Sequence, residues 1–195
     1  MTKVSMATAD RILAAALPLF LAHGYAGASL ETVRRDAGVS NGSLYHHFPR
    51  RADLAARLLT EGMRRCQQDI TDVLAVDGPP EQVVRTVVAA HMRWVEQHAE
   101  VARWIYSDLP DEVLLAAEPQ LGEDSRRYVE AMEGWLRQQT QQGALIGRSF
   151  GVTHALWLGP AQEFARHWLR GRSRQRPTGA AGDLADGAWR ALAPR

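Results

Sequence analysis

The chain has 195 residues, 46% of them hydrophobic, and its 23 Lys and Arg nearly balance its 22 Asp and Glu. This length suffices for one large or two small domains with a proper core, and the charge balance excludes a globally basic chain. Cys66 is the only cysteine, which excludes an intrachain disulfide, and no signal peptide or bilayer-spanning apolar run is recognised. We therefore expect a cytoplasmic protein without membrane contact.

A first helix is predicted over residues 9–25, and it contains Pro18. Proline cannot donate to the carbonyl of Ala14, so we expect a kink there unless that carbonyl is solvated.

Two short helices joined by a tight turn follow. Ser29 is suited to cap a helix over 29–37, and Gly38 suits the left-handed backbone that ends it. Ser40 is suited to cap the next helix, whose apolar residues are Val39, Leu44 and Phe48. This arrangement is the helix-turn-helix unit, which places its second helix in the DNA major groove.

The same residues carry a specific resemblance. The pattern A-G-V-S-x-G-x-L-Y-x-x-F spans 37–48, and Arg51 and Leu54 follow it. With the upstream helix, this resembles the N-terminal domain of the TetR family of transcriptional regulators. Arg34 stands where the family usually has a small residue, and Arg51 stands where it usually has lysine. The resemblance implies an all-α fold of about nine helices. Its DNA-binding domain of three helices would span 1–51, and a ligand-binding and dimerisation domain would span 52–195.

The resemblance also implies a set of DNA contacts. Tyr45 and His47 would contact the DNA backbone, whereas Asn41, Ser43 and His46 would reach base edges. Asn41 suits either adenine or a phosphate, and Gly42 permits close approach of the backbone. The full predicted set is Ser29, Ser40, Asn41, Gly42, Ser43, Tyr45, His46, His47 and Arg51.

Charge supports this assignment modestly. Residues 1–60 hold seven Lys and Arg against four Asp and Glu, a net +3, which leaves −2 for the rest of a chain of net charge +1. A metal site at His46 and His47 is not predicted, because adjacent helical residues point about 100° apart.

The rest of the chain also reads as helical. Helices are predicted over 52–74, 81–98, a short stretch around 102–109, another around 114–115 that ends near Pro119, then 123–142, 150–170 and 183–192, with a loop over 170–182.

Aromatic side chains mark a possible effector site. Helices that surround a pocket in the resembled family here carry Trp94, His98, Trp104, Tyr128 and Trp135. Such residues suit a small apolar or aromatic effector with one or two polar anchors, and they suit ordinary core packing equally well.

A long apolar stripe marks a possible dimer interface. It suits a helix–helix interface as well as a core, and the resemblance favours a homodimer. The predicted interface residues are His154, Trp157, Ala161, Phe164, Trp168, Leu184 and Ala188.

Two further features have competing interpretations. Cys66 suits either a redox sensor or, more simply, a small buried hydrophobe. The predicted loop carries Arg170, Arg172, Arg174 and Arg176. These arginines suit either binding to nucleic acid or simple exposure to solvent. Exposure to solvent is favoured, because the loop is far in sequence from the helix-turn-helix.

The sequence thus favours a ligand-responsive regulator that binds a palindromic DNA operator, a repressor rather than an enzyme. The alternatives are a small all-helical enzyme and a protein-interaction module. No nucleophile–base set, metal-ligand spacing or phosphate loop supports an enzyme, and no cofactor or metal is predicted.

Overall fold

The computed structural model describes residues 7–194. In that part the chain forms helices and no strands, which confirms the predicted all-α class. The nine helices of the described part are α1 Thr8–Gly27, α2 Leu30–Ala37, α3 Asn41–His47, α4 Arg51–Leu74, α5 Pro80–Gln97, α6 Ala99–Ile105, α7 Asp111–Gln141, α8 Phe150–Leu169 and α9 Pro177–Leu192.

Contacts divide the chain into two compact units. The first contains the described residues of Met1–Met63 together with Glu100–Gly122, and the second those of Arg64–Ala99 and Glu123–Arg195. Helices α4 and α7 have residues in both units. The boundary between the predicted DNA-binding domain, 1–51, and the predicted ligand-binding domain, 52–195, stays a prediction. Residues 1–6 of the former and residue 195 of the latter lie outside the described residues.

The core of the first unit is centred on α1, α4 and α6. Phe20 of α1 stacks on Trp104 of α6 with ring centroids 5.2 Å apart. The indole Nε1 of Trp104 donates to the Ala55 carbonyl of α4 at 3.3 Å. A Cβ on Gly62 would lie 2.6 Å from Cγ1 of Val101, so α6 approaches α4 at a distance that only glycine permits. Helix α6 is therefore fixed tightly within this unit.

The core of the second unit is centred on α5, α7, α8 and α9. Trp157 of α8 is buried, donates its indole N–H to the Val84 carbonyl at 3.0 Å, and packs on Trp135 with centroids 5.3 Å apart. Helix α5 packs against both α8 and α9. The large residues of α8 therefore fill the interior of one chain.

Prolines inside helices are tolerated where solvent reaches the freed carbonyl. Pro18 does not break α1, and both it and Ala14 are exposed, so water can replace the missing hydrogen bond. The irregular residue of α1 is instead Gly24, with φ 71°. The predicted break near Pro119 is wrong, because α7 runs through it and the Leu115 carbonyl belongs to an exposed turn.

The predicted loop over 170–182 is wrong in its second half, because α9 begins at Pro177. Glu96 of α5 accepts bonds from the backbone N–H of Thr178 at 3.0 Å and from its hydroxyl at 2.7 Å. The same carboxylate pairs with Arg176 at 2.7 Å. These bonds lower the pKa of Glu96 and cap the helix from another part of the chain.

Candidate nucleic-acid interface and effector site

The local geometry of the helix-turn-helix matches the sequence-based prediction. The Ser29 hydroxyl accepts from the Thr32 N–H at 3.2 Å, and the Ser40 hydroxyl accepts from the Ser43 N–H at 3.1 Å. Gly38 adopts the left-handed conformation with φ 63° and ψ 42°. Both predicted N-caps and the predicted turn are therefore confirmed.

The side chain of Arg34 joins the turn to α2 by hydrogen bonds. Its Nη1 donates to the Val39 carbonyl at 3.0 Å, while its Nε donates to the Glu31 carboxylate at 2.9 Å. The guanidinium also lowers the pKa of Glu31. The sequence showed Arg34 only as a departure from the family pattern, and its contacts identify it as the residue that holds the turn.

Helix α3 presents one buried and one exposed face. Leu44 is buried at its centre, with Val39 and Phe48 buried beside its two ends. Tyr45 is 50% exposed although its ring is large. The predicted contact residues Ser29, Ser40, Asn41, Gly42, His46 and His47 are exposed, and Ser43 is half-buried. The predicted set is thus open to solvent, and its contact with DNA stays a prediction.

Arg51 has an intramolecular role that the sequence did not reveal. Its Nη1 donates to the carbonyls of Tyr25 at 3.0 Å and Ala26 at 2.5 Å, near the end of α1. Its guanidinium also lies 5.8 Å from the Tyr25 ring centroid. The neighbouring Arg50 is 70% exposed and pairs with Asp53. Arg50 is therefore a second candidate for a phosphate contact. Its position just before the first turn of α4 could have identified it from the sequence.

The two histidines of α3 lie side by side. The rings of His46 and His47 are 5.4 Å apart in an edge arrangement. Across residues 7–194, no group of three or more His, Cys, Asp or Glu side chains is arranged to hold a metal ion. Over the same residues, no helix combines the length and apolar character needed to cross a membrane.

Comparison with known proteins identifies this helix-turn-helix. The model of the family described as bacterial regulatory proteins, tetR family, matches residues 12–58. The HTH-type transcriptional regulator TtgW of Pseudomonas putida is 31% identical over 109 residues, which are 55% of this chain and 80% of that protein. The chain belongs to the TetR family. The regulator SrpR of Pseudomonas putida is 29% identical over 165 residues, covering 82% of this chain and 76% of SrpR.

A solved structure extends the likeness to most of the chain. The regulator FadR from Bacillus subtilis, in complex with stearoyl-CoA, has a TM-score of 0.77 at 16% identity, covering 92% of this chain and 96% of FadR. At that identity the likeness shows the fold. As a member of the TetR family, the chain is a ligand-responsive, DNA-binding transcriptional regulator, and such regulators work as dimers.

Of the residues predicted to surround an effector, four lie in the second unit. Trp94 is buried and packs on the exposed His98 with ring centroids 5.4 Å apart. Tyr128 is buried and Trp135 is half-buried. The prediction that Trp104 surrounds the effector needs correction, because Trp104 belongs to the core of the first unit, where it packs on Phe20. Four of the five residues therefore lie in the second unit, and the fifth lies in the core of the first.

The predicted dimer residues also need correction. Trp157, Ala161 and Ala188 are at most 2% exposed, because they pack inside one chain rather than on its surface. Four others are half-buried, namely His154, Phe164, Trp168 and Leu184. The stripe that the sequence shows on α8 is thus largely the core-facing side of that helix.

Cys66 lies beside a buried histidine. Its Sγ is 3.5 Å from Nδ1 of His91. Desolvation by burial is the main cause that raises the pKa of the Cys66 thiol to about 12. Because the thiolate is the reactive form, this environment favours the interpretation of Cys66 as a small packed hydrophobe over a redox sensor.

His91 should make folding stability depend on pH. Burial, aided by nearby His154, lowers the pKa of His91 from 6.5 to about 4. His91 binds a proton more readily in the unfolded chain than in the folded one. The free energy of unfolding therefore decreases as pH falls from about 6.5 to about 4. The loss is about 3 kcal/mol. Urea denaturation of His91→Asn should show a smaller decline over that window, and an unchanged decline would contradict the assignment.

Proposed function

We propose that the chain is a repressor that binds a palindromic operator as a two-fold dimer and is released by a small apolar or aromatic effector. The observation that carries the DNA-binding half is the exposed face of α3, a helix that is capped by Ser40 and anchored by the buried Leu44. A two-fold dimer presents two such helices to successive major grooves, which lie roughly 34–36 Å apart.

The dimer is proposed to form through the outer face of α8. Val152 is 49% exposed and Leu156 is 36% exposed, and the exposed Ala155 and Pro160 lie near them at helical spacing. On α9 the exposed residues include Gly179, Gly182 and Gly187, which allow close approach of a second helix. This face replaces the stripe that the sequence suggested, because that stripe is largely buried inside one chain.

The effector is proposed to bind within the second unit. Trp94, Tyr128 and Trp135 support an aromatic site there, since all lie on helices that pack around one core. FadR of Bacillus subtilis binds stearoyl-CoA, which supports an apolar effector for a protein of this fold. An effector that binds the operator-free state more tightly than the bound state shifts the protein off DNA, and a protein that blocks transcription while bound then acts as a repressor.

Arg51→Ala tests the DNA-binding half of this proposal. We expect weaker binding to every duplex sequence and a decrease of about one in the slope of log affinity against log salt concentration, because one phosphate contact is lost. Fluorescence anisotropy with a labelled duplex across a salt series measures both. We also expect a lower melting temperature, because the variant loses the bonds to Tyr25 and Ala26.

The matched control is Arg57→Ala, which removes the same charge farther along α4, from a side chain paired with Glu61. We expect it to leave the salt slope unchanged. If Arg51→Ala lowers the melting temperature but not the salt slope, Arg51 is structural only. Arg50 would then be the phosphate contact to test.

A further inference from the structure

Four polar side chains from four different helices meet in the second unit. Cys66 of α4 contacts His91 of α5, with Sγ 3.5 Å from Nδ1. Tyr128 of α7 contacts His154 of α8, with the hydroxyl 3.4 Å from Nε2. The two pairs also act on each other electrostatically, since His154 helps to lower the pKa of His91 and Cys66 helps to raise that of Tyr128. We call these four residues the polar cluster.

The two contacts within the polar cluster are long or weak. A separation of 3.4 Å between hydroxyl and imidazole lies beyond the usual range, and a thiol is a weak donor. Trp94 lies one turn after His91 on the same face of α5, and its indole N–H is buried without a hydrogen-bond partner. Such a group calls for a partner that the protein itself does not supply.

Two members of the polar cluster, Cys66 and His154, are only partly buried. Desolvation raises the pKa of the Cys66 thiol to about 12, so the group is shielded from bulk water. Cys66 nevertheless keeps intermediate accessible surface, and so does His154, whose pKa burial lowers. Both side chains therefore keep accessible surface that a ligand can contact.

Apolar side chains continue from the polar cluster along α7. Met132 and Trp135 follow Tyr128 at spacings of four and three residues and so share its face of the helix. Trp135 packs on Trp157, and methionine adapts easily to the shape of a ligand. An apolar body would therefore lie next to the polar groups.

We propose that the polar cluster and the Trp94 N–H hold the head of the effector, and that this head is an uncharged hydroxyl such as a phenol. The inference rests on the proposed function and specifies its ligand. A hydroxyl both donates and accepts, and so matches the imidazoles, the Tyr128 hydroxyl and the indole N–H.

A charged head fits less well. A buried ion needs a charged partner, and the histidines are neutral near pH 7 because burial lowers the pKa of each. The nearby Asp69 carboxylate raises the pKa of Cys66, and it would repel a second anion.

The test uses three matched probes: para-butylphenol, butylbenzene and para-butylbenzoic acid. Each is titrated into the full-length protein carrying isotope-labelled histidine, and the side-chain NMR signals are followed. We expect the phenol to shift the signals of His91 and His154, with an affinity on the order of ten-fold above that of butylbenzene. Tyr128→Phe should remove most of this preference, and the control Tyr106→Phe, in the first unit, should keep it.

Three results would overturn the inference: no shift of either histidine up to the solubility limit of the phenol, equal affinities for phenol and hydrocarbon, or tightest binding of the acid. Operator release, measured by anisotropy in the same samples, tests the proposed function separately. Histidine shifts without operator release would leave the site standing and contradict the effector role. Release without shifts would place the effector elsewhere, for example in the cleft of about 410 Å³ lined by Val73, Val76 and Val83.

Discussion

Replacing Leu156 with glutamate should convert the protein into monomers that bind a palindromic operator at least about 100-fold more weakly. Leu156 is 36% exposed on α8, in the face proposed for the dimer. Two-fold symmetry places the new carboxylate in the interface twice, and an unpaired buried charge costs several kcal/mol. A monomer reaches only one half-site, so it also loses the contacts of the second recognition helix.

Light scattering and operator titration measure these two effects. The matched control is Leu115→Glu, which makes the same change at a leucine that is 67% exposed on α7. We expect the control to stay dimeric and to bind the operator like the parent protein. A Leu156→Glu variant that remains dimeric at micromolar concentration would place the interface on another surface.

The helix-turn-helix could be predicted closely because its signals are local. The caps at Ser29 and Ser40 act on residues three positions away, and Gly38 acts on its own backbone. The burial of Val39 and Leu44 follows from helical spacing within the same window. Each of these features depends on a few consecutive residues, so the sequence contains nearly all that determines them.

The start of α9 could not be predicted because its cap comes from elsewhere. Residues 177–182 read as a turn, with a proline and two glycines. The stabilising group is the Glu96 carboxylate, which lies 82 residues before Thr178 in the sequence. A helix that depends on so distant a partner leaves no local signal.

The orientation of α8 was missed for a related reason. An apolar stripe shows that one face avoids water, but it does not say whether the neighbour belongs to the same chain. Trp157 packs on Trp135 and bonds to Val84, both within one chain. The polar cluster was missed likewise, because Cys66 and His91 are 25 residues apart and come together only through packing. The available signal was His91 itself, a histidine that lies among the valines of α5.

Trp104→Ala should lower the free energy of unfolding by about 3–5 kcal/mol, because it removes a large buried aromatic side chain. Trp104 is 3% exposed, stacks on Phe20 and donates to the Ala55 carbonyl. The effector-site interpretation makes the opposite prediction, namely a small loss of stability with loss of the effector response. Trp104→Phe should lie between, because it keeps an aromatic ring against Phe20 but loses part of the buried ring system and one hydrogen bond, the latter about 1 kcal/mol. Urea denaturation gives the stabilities, and titration with para-butylphenol under folding conditions gives the affinity, which both variants should retain. If Trp104→Ala is as stable as the parent and no longer binds the phenol, the residue belongs to the effector site and its assignment to the core of the first unit is wrong.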